Sequence, residues 1–169
     1  MHPFDILELN NGAKFIFTPC PGTKDTSISD AFNTLVEAGA DAVITLLSDD
    51  ELTALSVPTF SHEAAQKSFE WFQLPIEDDC EPEQPFQQAW TVAEEALLAL
   101  VNDKKTIAIH CRGGSGRTGL MAAILLFESG EQWPNIQAQI QSIRPKALTH
   151  PAHISYLQKH YSIGGNYDY

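Results

Sequence analysis

Positive charge is scarce in this sequence. Ten lysines and arginines face 22 aspartates and glutamates, a formal net charge of −12 over 169 residues. Such a surface repels nucleic-acid backbones and anionic bilayers, so neither is expected as a partner. Cysteine is scarce too. Cys20, Cys80 and Cys111 cannot all pair within one chain and do not resemble a disulfide framework. There is no C-x-x-C or H-x-x-x-H pair, and His110 and Cys111 are adjacent rather than spaced for ligation, so no metal site is expected. Long apolar runs are missing: the longest, residues 120–127, falls far short of a bilayer span. The opening stretch MHPFDILELNNG lacks the basic-then-apolar order of a signal peptide. These absences together lead to the expectation of a soluble, cytoplasmic protein. No internal repeat, low-complexity tract or long linker interrupts the chain.

What is present is an ordinary globular composition, 43% apolar, at a length that suits one domain over residues 1–169. Short apolar or β-branched runs predict strands at residues 15–18, 42–47, 69–74 and 106–110. Ser27 and its polar neighbours suit a helix start, and Gly39 its end. Residues 49–70 read as mostly helical with a break at Pro58. Phe86, Trp90, Ala93, Leu97 and Leu100 recur at helical spacing, which predicts a long amphipathic helix ending near Asn102. Residues 117–127 are apolar on nearly all sides, as in a central helix. Pro134 and Pro151 open two more, with Ile136, Ile140 and Ile143 on one face of the first and Ile154, Leu157 and Tyr161 inward on the second. Strands alternating with helices predict an α/β fold with a central, mainly parallel sheet flanked by helices.

The chemistry is concentrated in residues 107–119, IAIHCRGGSGRTG. GSGRTG fits the dinucleotide-binding pattern G-x-G-x-x-G literally. That fingerprint needs a further strand with an acidic residue about 20 positions on, and here helix follows helix. A Walker loop fails as well, because no lysine precedes Thr118. The loop makes sense around Cys111 instead. A glycine-rich strand-to-helix turn aims successive backbone N–H groups inward as an anion cradle, and the helix start adds its positive dipole end. Such a field stabilises a thiolate over a thiol. Arg117 can fold back over the cradle and match two phosphate oxygens with its planar fork. Thr118 can donate its hydroxyl to the sulfur. A nucleophile, an oxyanion cradle and a fixed guanidinium in one loop describe covalent phosphoryl transfer.

His-Cys-Arg-Gly-Gly-Ser-Gly-Arg-Thr-Gly resembles the H-C-x5-R-[ST] signature of protein tyrosine and dual-specificity phosphatases. PIEDD at 75–79 resembles their general-acid loop, and IRPKALTHPAHISYL at 143–157 their Arg-Pro segment and closing helix. The stretch from Cys20 to Gly39, with PIED, looks most like the kinase-associated, cyclin-dependent kinase inhibitor-type branch. The resemblance implies a phosphatase loop between a buried strand and a central helix, and a phosphocysteine formed on Cys111. It implies phosphate binding by Arg112, Gly113, Gly114, Ser115, Gly116 and Arg117, support of the leaving sulfur by Thr118, and structural support by His110. Asp78 is favoured as the general acid over Asp79. No metal or cofactor is implied, and the expected partner is a phosphorylated protein. Three other readings compete: a rhodanese-like sulfurtransferase, a phosphoinositide phosphatase, and a phosphoprotein-binding module without turnover.

Overall fold

The computed structural model describes residues 1–163. Five strands form one sheet: β1 (Asp5–Glu8), β2 (Lys14–Thr18), β3 (Ala42–Thr45), β4 (Glu70–Gln73) and β5 (Thr106–His110). Their spatial order is β1-β2-β5-β3-β4; β1 runs antiparallel at the edge and the other pairs are parallel. β2, β3 and β5 are buried along nearly their whole length, as parallel strands covered on both faces must be. The helices are α1 (Ile28–Glu37), α2 (Asp49–Ala54), α3 (Phe60–Ala65), α4 (Gln84–Asn102), α5 (Gly116–Glu128), α6 (Trp133–Ile143) and α7 (Pro151–His160). None of them is long and apolar enough to cross a membrane.

The order of the strands explains where a ligand can bind. The chain moves from β2 across β5 to β3 and β4, then reverses direction to insert β5. Right-handed crossovers put α1, α2 and α3 over one face and α4 over the other. α5 packs on β5 and against α4, α6 and α7. A crevice therefore opens at the carboxyl end of β5, where the connections leave in opposite directions. The candidate loop starts there. Thr18 of β2 and Thr45 of β3 both lie in register with His110, the last residue of β5.

Several local expectations need correction. Residues 49–70 are helical on both sides of a break at Pro58, as expected, with Ser56 turning the chain at φ +65° ahead of it, but the second helix stops at Ala65, short of residue 70. The apolar stripe of α4 ends on buried Val101, with Leu100 only partly covered. Edge strand β1 carries a single buried residue, Leu7, and had no sequence pattern to announce it.

Candidate phosphate-binding site

The loop Cys111–Ser115 leaves β5 and enters α5, whose residues 117–126 are all buried. Cys111 is 4% exposed. Its Sγ accepts from the Gly114 N–H at 3.3 Å and the Thr118 hydroxyl at 3.2 Å. Ser115, the N-cap, makes no side-chain cap bond, so no side chain there consumes the first-turn amides of α5. Gly114 adopts φ +85°, and a Cβ there would stand 2.6 Å from the Thr18 carbonyl carbon and 2.9 Å from the Pro19 nitrogen. The turn is tight against main chain, so only glycine fits. From the other side, Arg144 Nε donates to the Gly114 carbonyl at 3.0 Å. Arg144 is anchored in turn by Asp5 at 2.7 Å and the Phe17 carbonyl at 3.3 Å.

His110 supports the loop from below. Trp71 Nε1–H donates to Thr45 Oγ1 at 2.8 Å, which leaves the Thr45 hydroxyl hydrogen for His110 Nε2 at 2.7 Å. Nε2 then accepts, so the ring hydrogen is on Nδ1 and faces the Cys111 carbonyl at 3.2 Å. Burial, outweighing the Cys111 carbonyl contact, drives the His110 pKa down to about 3. The imidazole is a neutral strut under the loop.

Arg117 is 2% exposed and makes more contacts than the sequence predicted. Its two terminal nitrogens donate to the two carboxylate oxygens of Glu51 at 2.8 and 2.9 Å, and Nη1 also donates to the Ile76 carbonyl at 2.9 Å. Burial alone would lower its pKa, but Glu51 and the charges of Cys111 and Asp78 raise it. The end of the fork is therefore occupied. The donors left for phosphate are Nε–H and the second hydrogen of Nη2, the side-on edge. Asp78 stands at that edge, its Oδ1 3.6 Å from Nε. Asp79 does not: its carboxylate turns away to His150 Nε2 at 3.2 Å.

Residues 22–160 match the family described as "Swiss Army Knife protein, DSP-PTPase phosphatase domain". The chain belongs to that phosphatase-domain family. It is 33% identical over 106 residues to the Cyclin-dependent kinase inhibitor 3 of Mus musculus, covering 63% of this chain and 48% of that protein. The chain thus spans about half the length of the curated relatives it matches. Among solved structures, kinase associated phosphatase with serine at its catalytic-site cysteine superposes with TM-score 0.80 at 20% identity, covering 94% and 93% of the two chains. Tk-PTP in its active form gives 0.66 at 23% identity, covering 90% and 94%. At these identities the likeness speaks for the fold.

At this candidate site the structure brings Cys111, Gly114, Arg117, Thr118 and Asp78 close to one another. Arg112 and Gly113 are exposed at the mouth, while Ser115 and Gly116 are half-buried. The sequence did not reveal Glu51, Thr45, Trp71 or the anchoring role of Arg144. Glu51 follows Ser48 at capping-box spacing, and Ser48 Oγ does accept the Glu51 N–H at 3.2 Å. That pattern explains the helix start and conceals the carboxylate's partner, Arg117. The other thiols are not rivals to Cys111. All three cysteines are free, and burial, with the Cys111 charge second, pushes the Cys20 thiol up to about 12.

His153, 3% exposed, packs its Cε1 edge toward Gly116, and neither ring nitrogen has a hydrogen-bond partner among the described residues. Burial foremost, with the charges of His150 and Arg117, lowers its pKa to about 4. His110 and His153 are thus neutral in the folded chain and take up protons in the unfolded chain below the ordinary 6.5. Their stabilisation is complete above pH 6.5 and is lost as pH falls, toward 4 for His153 and 3 for His110. Urea titrations between pH 7 and 4 should show stability falling by up to about 1.4 kcal/mol per pH unit for each histidine. His110→Asn should shallow that slope; an unchanged slope would mean that His110 does not contribute to it.

Proposed function

We propose that this chain is a metal-independent phosphomonoester hydrolase that acts on phosphoproteins through a phosphocysteine, with phosphotyrosine and phosphoserine or phosphothreonine as substrates. The observation that carries this reading is the convergence of Cys111 Sγ, the open edge of Arg117 and the Asp78 carboxylate on one cradle. In the first step the Cys111 sulfur attacks phosphorus. The S–P bond forms, the P–O ester bond breaks, and its electron pair leaves with the substrate oxygen, which takes the Asp78 proton. Arg117 and the loop amides balance the charge on the other phosphate oxygens. In the second step the Asp78 carboxylate takes a proton from water as its oxygen attacks phosphorus. The S–P bond breaks, and the Thr118 hydroxyl, 3.2 Å away, receives the sulfur's returning charge as a hydrogen bond. These groups supply all the charge compensation, so no divalent ion is needed.

A protein substrate is favoured over a phosphoinositide by the surroundings of the site. A cleft of ≈ 760 Å³ beside it is lined by Asp50, Glu51, Glu77, Asp78 and Glu83. Carboxylates there repel the additional phosphates of an inositol headgroup and tolerate a neutral or basic peptide flank. A catalytic thiol and two further free cysteines suit a reducing compartment, the cytoplasm. The deciding experiment is a panel of phosphotyrosine, phosphoserine and phosphothreonine peptides with phosphoinositides alongside, all in EDTA. We expect turnover of the peptides and inhibition by vanadate, which imitates the transition-state geometry. Activity lost in EDTA and restored by magnesium or manganese, or confined to the lipids, overturns the reading.

Glu51 offers a sharper probe of the same site. It holds a buried guanidinium so that one edge faces the phosphate. Glu51→Gln keeps the shape but loses one acceptor for Arg117 and the charge behind the other, and should lower kcat/KM for an aryl phosphate by about 10- to 100-fold. A variant within two-fold of the parent would show that Arg117 needs no such holder.

A further inference from the structure

α7 grips the acid loop through side chains that the proposed chemistry leaves unused. His150, its N-cap, employs both ring nitrogens. Nδ1 accepts the Ala152 N–H at 3.0 Å, and Nε2 lies 3.2 Å from Asp79 Oδ1. A ring nitrogen that accepts from an amide carries no hydrogen, so the hydrogen of the neutral ring is on Nε2 and points at Asp79. The capping bond fixes the tautomer that the second bond requires. Farther along α7, Lys159 Nζ holds both carboxylate oxygens of Glu81 at 3.1 Å, and Ser155 Oγ donates to Glu81 at 3.3 Å.

Asp79 has φ +60°, a left-handed conformation that aspartate tolerates better than most residues with a side chain but that remains less favourable than the ordinary regions. Its amide, in the peptide plane shared with Asp78, donates to Asp78 Oδ1 at 3.1 Å. The same oxygen stands 3.6 Å from Arg117 Nε. A chain of contacts thus runs from the α7 cap through a left-handed turn to the carboxylate at the phosphate site. The His150 and Asp79 side chains are 37% and 78% exposed, so their contact contributes little to folding. Its effect should fall on geometry. The adjacent His153 ring, 5.0 Å away centroid to centroid, makes no hydrogen bond to either residue and takes no part in this series of contacts.

We propose that His150 is a positioning residue for the general acid: its Nε2–H holds Asp79 in the left-handed turn whose amide orients the Asp78 carboxyl toward the substrate's leaving oxygen. This rests on the assignment of Asp78 made above. The dependence should appear only where the leaving group needs a proton.

The test uses the full chain with two substrates, p-nitrophenyl phosphate as an activated ester and a phosphoserine peptide as a poor leaving group. Serine caps helices as well as histidine does but cannot reach Asp79. His150→Ser should lower kcat on the phosphopeptide about 3- to 5-fold, the most that one exposed hydrogen bond to a carboxylate supports, and change it less than about two-fold on the activated ester. Glycine takes a positive φ unaided, so in the Asp79→Gly background the same His150→Ser change should cost less than about two-fold on either substrate. Full phosphopeptide activity in His150→Ser, equal losses on both substrates, or undiminished dependence on His150 in Asp79→Gly each overturns the proposal. Asp78→Asn runs in the same assay. A leaving-group-dependent loss there, with none in His150→Ser, removes the positioning role alone; its absence in Asp78→Asn removes the acid assignment and the positioning role together.

Discussion

Cys111→Ser should abolish turnover while phosphate esters still bind. The cradle is built from main chain and from Arg117, and neither depends on the sulfur. Gly114 keeps its place because Thr18 and Pro19 press on it from one side and Arg144 holds its carbonyl from the other. Arg117 keeps its open edge because Glu51 and the Ile76 carbonyl occupy the rest of its fork. A serine hydroxyl remains protonated near neutral pH, and among the described residues the hydrogen-bond partners of Cys111 Sγ are an amide and a hydroxyl, neither of them a base that could activate it. The loss in kcat should be at least about 10⁴-fold, as for other removed nucleophiles. Calorimetry should show saturable phosphopeptide binding to Cys111→Ser, and excess inorganic phosphate should compete it away. Turnover within about ten-fold of the parent would rule out the covalent route.

The second large effect concerns proton donation. Asp78→Asn should reduce turnover of an unactivated ester by about 10² to 10⁴, the usual contribution of a general acid. The loss should be small for an activated aryl phosphate, whose oxygen departs with little help. The alkaline limb of the pH–rate profile should flatten, because no carboxyl remains to lose its proton. Asp79→Asn should not show this pattern. Its side chain faces His150 rather than the cradle, and an asparagine oxygen can still accept there. Should Asp79→Asn show the pattern and Asp78→Asn not, the roles are exchanged. Should neither show it, Glu77 and Glu81 are the next carboxylates to replace.

The sequence revealed those parts of the molecule whose cause is local. β5, the loop and α5 could be read because a buried strand, a run of glycines and an all-apolar helix are each written in consecutive residues. Cys111, Arg117 and Thr118 share that stretch, so spacing alone brought them together. β1 could not be read: its side chains are mostly exposed, and it is a strand because β2 offers a partner. Glu51 lies 66 residues from Arg117, and His150 is just as remote in sequence from Asp79. Tertiary pairs of this kind leave no periodic trace. Where a residue already had an adequate local explanation, as Glu51 did beside its capping serine, that explanation hid the distant one. The acid loop shows the same limit. Five acidic residues crowd residues 77–83, and only the left-handed turn at Asp79 separates the carboxylate that faces the cradle from the one that does not.

Gly113 and Gly114 are neighbours with opposite freedoms. A Cβ at Gly113 meets nothing within 4 Å, whereas one at Gly114 strikes the ends of β2 and the following proline. The curvature of the loop is therefore set by strand backbones behind it, and the charge at its mouth by side chains in front. Arg112 and Gly113 are exposed and can vary without disturbing that curvature. In a lineage, or in a designed library, selectivity at this site can drift through those two positions while the phosphate cradle is inherited unchanged.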